Sequence, residues 1–413
     1  MRRSAALLLT LGALASTLAA GCYRRAEIVD PPWRDAGARD ALVPGVDSSI
    51  DGGRAFVEPP GECTQAAGVD LLFVIDDSAS MAEEQARLAE QIPLLLELLT
   101  SPPDDDGDGR PDWLPIEQLQ VGVVTTDMGV GGHSVPTCDR ADFGDDGVLL
   151  ESSGACASSP LSGPIFRLDP EMPEPFISSV SCVAQPGSTG CGFEQQLEAA
   201  LKAVSPSVPT AYTGASYEPP VFVGSTFGHG EGRNAGFVRE DSLLAIVIVT
   251  DEEDCSVVPE STDVFDPSSE RYGGVDLNLR CFSFPEVTQP VERYVDGLLA
   301  LRASRPDLVA LAVLAGIPPE TAVPLPSAAD FTAMLEHPDM QERVDPETPT
   351  RLFPSCSSEI GLAFPPRRLV RTAEGLGPYR ATVQSICESD YRGPMTAVAR
   401  LIGRRGCAAR VLL

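Results

Sequence analysis

The chain has 413 residues and carries 60 acidic side chains against 30 lysines and arginines, a formal charge of −30 at neutral pH. A surface of that sign repels nucleic acid and anionic lipid headgroups and suits divalent cations or basic partners, so no nucleic-acid binding is expected. Lys202 is the only lysine, which reflects genome composition rather than function.

Taken in order, residues 1–21 read as an export signal: Arg2 and Arg3 precede an apolar run from Ala5 to Ala20 that is too short for a spanning helix. The ending Leu18, Ala19, Ala20, Gly21, Cys22 resembles a bacterial lipobox, in which Cys22 is lipidated and heads the mature protein; an ordinary signal peptide is the alternative. Tyr23, standing where an aspartate could, resembles the start of lipoproteins sorted to the outer membrane. The expected location is therefore the cell envelope, at its periplasmic face or the cell surface. No later segment has the roughly 18 apolar residues needed to cross a bilayer, so membrane contact is expected through the anchor only. Residues 22–62, rich in Pro, Gly and Asp, suit a flexible tether. Residues 63–413 suit one elaborated α/β domain.

Within that domain, the seven residues Val69 to Ile75, with an apolar core from Leu71 to Ile75, predict a strand buried on both faces. Asp76, Ser78 and Ser80 follow on a tight turn into a helix over 81–100. There Leu88, Ile92, Leu95 and Leu99 share one face, Glu83, Glu84 and Glu90 lie off it, and Pro93 is expected to bend it. Ser80 followed by Glu83 is also a capping-box pattern. Val121 to Thr125 predicts another strand, residues 128–192 a loop-like insertion with four cysteines, and Phe193 to Val204 a helix. Leu243 to Val249 predicts a second core strand, ending in Thr250 and Asp251. An insertion over 252–284, a helix at Val291 to Leu299, strands at 308–314 and 381–386 and a closing helix at 395–404 follow. Strands alternating with helices imply a doubly wound, mostly parallel sheet flanked by helices, with long disulfide-stapled insertions.

Besides Cys22 there are ten cysteines: Cys63, Cys138, Cys156, Cys182, Cys191, Cys255, Cys281, Cys356, Cys387 and Cys407. An even number in an exported chain without a CxxC pair argues for disulfides rather than zinc. Pairing of sequence neighbours, 182 with 191, 255 with 281 and 356 with 387, is one of roughly 945 connectivities.

Asp76, Ser78 and Ser80 offer one carboxylate and two hydroxyls within five residues, at the carboxyl end of a strand where open α/β sheets bind ligands. Hard cations such as Mg²⁺ take oxygen ligands of this kind. This DxSxS pattern after a buried strand resembles the metal-ion-dependent adhesion site of von Willebrand factor type A (VWA) domains. The resemblance implies a VWA-like, Rossmann-like fold and Mg²⁺ or Mn²⁺ held by Asp76, Ser78, Ser80, Asp251 and a loop threonine, for which Thr189 has the right context. It also implies a non-enzymatic protein-binding module, used in adhesion or envelope assembly, whose protein ligand supplies an acidic residue to the ion.

A second acidic pattern, Asp104, Asp106, Asp108 and Asp112 around Gly109, resembles the short calcium loops of extracellular proteins, with Ca²⁺ as the implied ion. Two other functions stay open. An Mg²⁺-dependent phosphatase resembling the haloacid dehalogenase type would use Asp76 as nucleophile, Asp251 and Asp254 to hold Mg²⁺ and a basic residue, usually lysine, against the phosphate. A purely structural envelope lipoprotein would use neither ion. No GxSxG elbow supports acyl transfer.

Overall fold

The computed structural model describes residues 66–208 and 219–405. The signal (1–21), Cys22, the tether (22–62), Cys63 and Cys407 lie outside the described residues, so the calls made on them are neither supported nor overturned.

Six strands form the main sheet: β1 (Val69–Ile75), β2 (Leu119–Thr125), β3 (Phe166–Arg167), β4 (Leu243–Val249), β5 (Val309–Ala315) and β8 (Ala381–Ser385), in the order β3-β2-β1-β4-β5-β8, while β6 (Cys356–Ser357) and β7 (Leu362–Ala363) form a separate antiparallel pair. All neighbours are parallel except the antiparallel edge strand β3. Every residue of β1, β2, β4 and β5 is buried, as parallel strands covered on both faces require. The chain passes from β1 to β2 on one side and later returns to β4 on the other. The strand order thus reverses at β1, and Ile75 pairs in register with Val249, which sets Asp76 level with Thr250.

Two helical layers cover the sheet. On one face α1 (Ala82–Thr100), α2 (Pro173–Val183) and α8 (Arg392–Arg405) bury Leu88, Ile92, Leu95, Leu99, Phe176, Val180, Val398 and Ile402 against Leu71, Phe73 and Ile75. On the other, α3 (Gln196–Val204), α5 (Glu292–Ala300), α6 (Ala328–Glu336) and α7 (Arg367–Leu376) pack Leu197, Leu298, Phe331 and Leu369 on Leu72 and Val74. Each such side chain contributes about 1.5–3 kcal/mol by leaving water. A third apolar cluster, around Val130, Phe193, Val257 and Phe265, lies within the insertions. Among the described residues no helix is long and apolar enough to cross a membrane.

Several expectations need correction. The insertion over 128–192 is not all loop, since it contains β3 and α2. Glu84 is not off the apolar face of α1: it is 3% exposed. Ser80 does not cap α1, whose N-cap is Met81 with no side-chain bond. Of the neighbour pairings, Cys255–Cys281 and Cys356–Cys387 form, but Cys182 bonds Cys156 and Cys191 bonds Cys138. Cys182 ends α2 and Cys156 packs in the same cluster under that helix, whereas Cys138 and Cys191 both belong to the insertion cluster.

One buried charge anchors the opposite end of β1. Asp70 is fully buried and accepts hydrogen bonds from the Arg239 backbone N–H (2.7 Å) and Nε (2.6 Å), while the Arg239 guanidinium also reaches the carbonyls of Val69 (2.9 Å) and Gln118 (3.1 Å). Arg239→Ala leaves that carboxylate buried without its counter-charge, and its expected cost is about 3–5 kcal/mol, read as a lower urea midpoint.

Candidate metal centre

The turn after β1 folds around its own aspartate. Asp76 is fully buried; its Oδ1 accepts from the Ser78 backbone N–H at 2.8 Å and its Oδ2 from the Thr250 hydroxyl at 2.6 Å. Thr250 follows β4, so this bond ties the two central strands together at the point where the order reverses, the usual place for a ligand site in an open α/β sheet. The hydroxyls of Ser78 and Ser80 stand 3.2 Å apart, Ser78 buried and Ser80 exposed at the rim. Ser80 lies against the Asp251 carboxylate.

Asp251 is 2% exposed and its Oδ1 has no hydrogen-bond partner. Burial first, then the negative charge of Asp76, pushes the Asp251 carboxyl up to about 8. Burial likewise raises Asp76. Of the five expected ligands, Asp76, Ser78, Ser80 and Asp251 lie along one chain of contacts, Asp76 with Ser78, Ser78 with Ser80 and Ser80 with Asp251. Thr189 is exposed and hydrogen-bonds none of them, although its neighbour Gly190 donates its N–H to the Asp77 carbonyl at 2.8 Å.

The residue that this loop presents to the site is Glu194, just ahead of α3. It is 6% exposed, and burial together with Asp76, Glu252 and Asp251 holds its carboxyl well above the usual range. Glu252 is raised in the same way, by burial and then by Asp251 and Asp76. Glu84 of α1 faces Asp76 from the other layer, with Oε2 unpaired. The only sequence signal of Glu194 is its place one turn before the apolar face of α3.

The acids after β4 divide by role. Asp254 caps local structure: Oδ1 accepts from the Leu197 N–H (3.0 Å) and the Ser256 hydroxyl (2.7 Å), and Oδ2 pairs with Arg368 Nε (3.0 Å). Glu253 accepts from the Arg368 N–H at the start of α7 (2.9 Å). Asp251 and Glu252 have no such anchors and remain with the Asp76 group. An open cavity of about 1050 Å³ adjoins the turn, lined by Ser78, Ser80, Glu194 and Glu252 and reaching Arg371 on α7.

Lys202 is remote from this group. It is buried in α3, with Nζ 2.5 Å from Asp146 and 2.8 Å from the Thr226 hydroxyl. In the second pattern, Asp104, Asp106 and Asp108 bring one carboxylate oxygen each within 4.8 Å of the others, all exposed. Their oxygens are taken by the loop's own N–H groups, of Asp108 (3.0 Å) and Gly109 (2.9 Å) among others. Asp112 stands beside Asp105 instead of joining them.

No protein-family model matches the chain, and no curated protein matches it either.

Proposed function

We propose that the chain is a VWA-like, lipid-anchored envelope protein, carried on the outer membrane. In this reading it binds a protein partner through Mg²⁺ or Mn²⁺ held by Asp76, Ser78, Ser80 and Asp251, with no catalytic role. Glu194 takes the place the family gives to threonine, and Thr189 is left out of the ligand set. The observation that carries the reading is the Asp251 Oδ1: a buried carboxylate oxygen with no partner, on a side chain that lies against Ser80 and feels the charge of buried Asp76. Isolated buried carboxylates cost several kcal/mol unless something positive neutralises them. The perturbing groups around Asp76, Asp251, Glu194 and Glu252 are all acids or neutral hydrogen-bond donors. The donor set is all oxygen, which suits a hard cation and gives thiophilic metals nothing.

A bound cation would offer a Lewis-acidic docking point for an acidic side chain of the partner. The protein's own groups do the rest. Thr250 and the Ser78 N–H fix the rotamer of Asp76, exposed Ser80 leaves the rim open to solvent, and Arg371 across the cavity adds positive charge for an acidic partner surface. Lys202, the only lysine the phosphatase alternative could use, is engaged with Asp146 and Thr226. Ca²⁺ at the Asp104, Asp106 and Asp108 loop is a secondary proposal, supported by three carboxylate oxygens within 4.8 Å of one another.

Calorimetry on the oxidised protein tests this reading. Mg²⁺ or Mn²⁺ is expected to bind with micromolar to millimolar affinity, and the heat belonging to this site is expected to vanish in Asp76→Ala. Identical titrations for parent and variant would overturn it.

A further inference from the structure

Beside the Asp76 group lies a separate set of acids from three different segments. Asp77 belongs to the turn after β1, Asp127 follows β2, and Asp145 comes from the insertion; each places a carboxylate oxygen within 4.8 Å of the other two. We propose that Asp77, Asp127 and Asp145 hold a second hard divalent cation, Ca²⁺ or Mg²⁺, distinct from the ion proposed at Asp76 and Asp251.

Two of the three carboxylates are already oriented by neighbours. Asp127 Oδ1 accepts from the Gly129 N–H at 2.9 Å, and Oδ2 is 3.2 Å from Arg140. Asp145 Oδ2 accepts from the Thr125 hydroxyl at 2.8 Å and from Arg140 at 2.7 Å, while Oδ1 also bonds Arg140. Asp77 differs. It is 4% exposed, and its Oδ1 has no hydrogen-bond partner. Arg140, half exposed, is spent on Asp127 and Asp145. Three carboxylates against one guanidinium leave two negative charges, the complement of a divalent ion, and Asp77, the one that Arg140 does not bond, is buried as Asp127 is.

The backbone is shaped to bring these acids together. A Cβ on Gly190 would overlap the Asp77 carboxylate, and one on Gly144 would overlap that of Asp127, where φ is +59°. Only glycine allows so close an approach at Gly144 without strain. The Thr126 hydroxyl, next to Asp127, is likewise buried without a partner. All available donors are oxygens, which excludes a thiophilic ion. A cation here would clamp the turn that carries Asp76 to the β2 terminus and the disulfide-closed insertion.

Counting bound Mn²⁺ by electron paramagnetic resonance on the full chain tests the proposal, with Mn²⁺ as the hard-cation probe. The Asp127→Asn/Asp145→Asn double variant keeps carbonyl acceptors for Gly129 and Thr125 and is expected to bind one Mn²⁺ fewer than the parent. An unchanged count overturns the proposal. If near-ultraviolet circular dichroism shows the double variant misfolded, Asp145→Asn alone is read by the same criterion. The Asp76→Ala variant separates the two sites: its loss is expected to add to that of the double variant, so failure of either assignment leaves the other standing.

Discussion

Asp251→Asn is expected to weaken Mn²⁺ binding on the order of 100-fold, the upper end of what removing even an outer-shell partner of a metal costs. The same substitution is expected to raise the melting temperature in EDTA at pH 9. The two effects have one origin. Asp251 is buried beside Asp76 with an oxygen that no protein group satisfies, so its charge is unfavourable until a cation arrives. Asparagine keeps the shape and removes the charge, which relieves the metal-free protein and deprives the ion of a ligand. Titration calorimetry and a thermal melt measure both signs. Unchanged affinity, or a lower melt at pH 9, would count against the assignment.

The second large effect concerns pH. Burial pushes the carboxyls of Asp77, Asp251 and Glu253 up to about 8, from ordinary values of 3.8 for the aspartates and 4.5 for the glutamate. Between about pH 4 and pH 8 the folded, metal-free chain therefore holds protons that the unfolded chain has released. Stability then falls as pH rises. The contribution is fully present below pH 4 and is lost as pH climbs through about 8. In EDTA the melting temperature is expected to drop on the order of 5 °C from pH 5 to pH 8. Millimolar Mg²⁺ is expected to remove much of that drop, because the cation replaces the protons on Asp77 and Asp251. Glu253 keeps a residual slope, being tied to the α7 N-terminus rather than to either site. A flat or rising metal-free profile would contradict the electrostatic account.

Much of the central sheet was legible because parallel strands covered on both faces must be apolar throughout. The runs at Leu71 to Ile75, Val121 to Thr125, Leu243 to Val249 and Val309 to Leu314 have no other comfortable place. Asp76 and Asp251 were legible for a related reason, as acids closing two such runs. Asp70 was hidden inside the same logic, since a strand position that needs a charge shows itself only once Arg239, 169 residues away, is seen to pair with it. The helix α7 carries a usable pattern, Leu369, Val370, Ala373 and Leu376, masked by its three arginines.

Contacts made at long range were the least legible. Glu194 faces Asp76 only because α3 begins where it does, and a serine-threonine motif gave no reason to look for an acid. The Asp77, Asp127 and Asp145 group joins three segments, although one signal was present: β2 ends in Thr126 and Asp127 just as β4 ends in Thr250 and Asp251. The cysteine pairing failed where one pair is nested inside another, 156 with 182 within 138 with 191, because proximity in sequence carries no information about which loop α2 covers.

The most direct test of the central claim is anomalous scattering from crystals of the oxidised protein soaked in Mn²⁺. The expected result is a manganese peak bonded to Asp76, Ser78, Ser80 and Asp251, with a coordination position open toward the cavity. A well-occupied Mn²⁺ structure with no peak among these residues would contradict it.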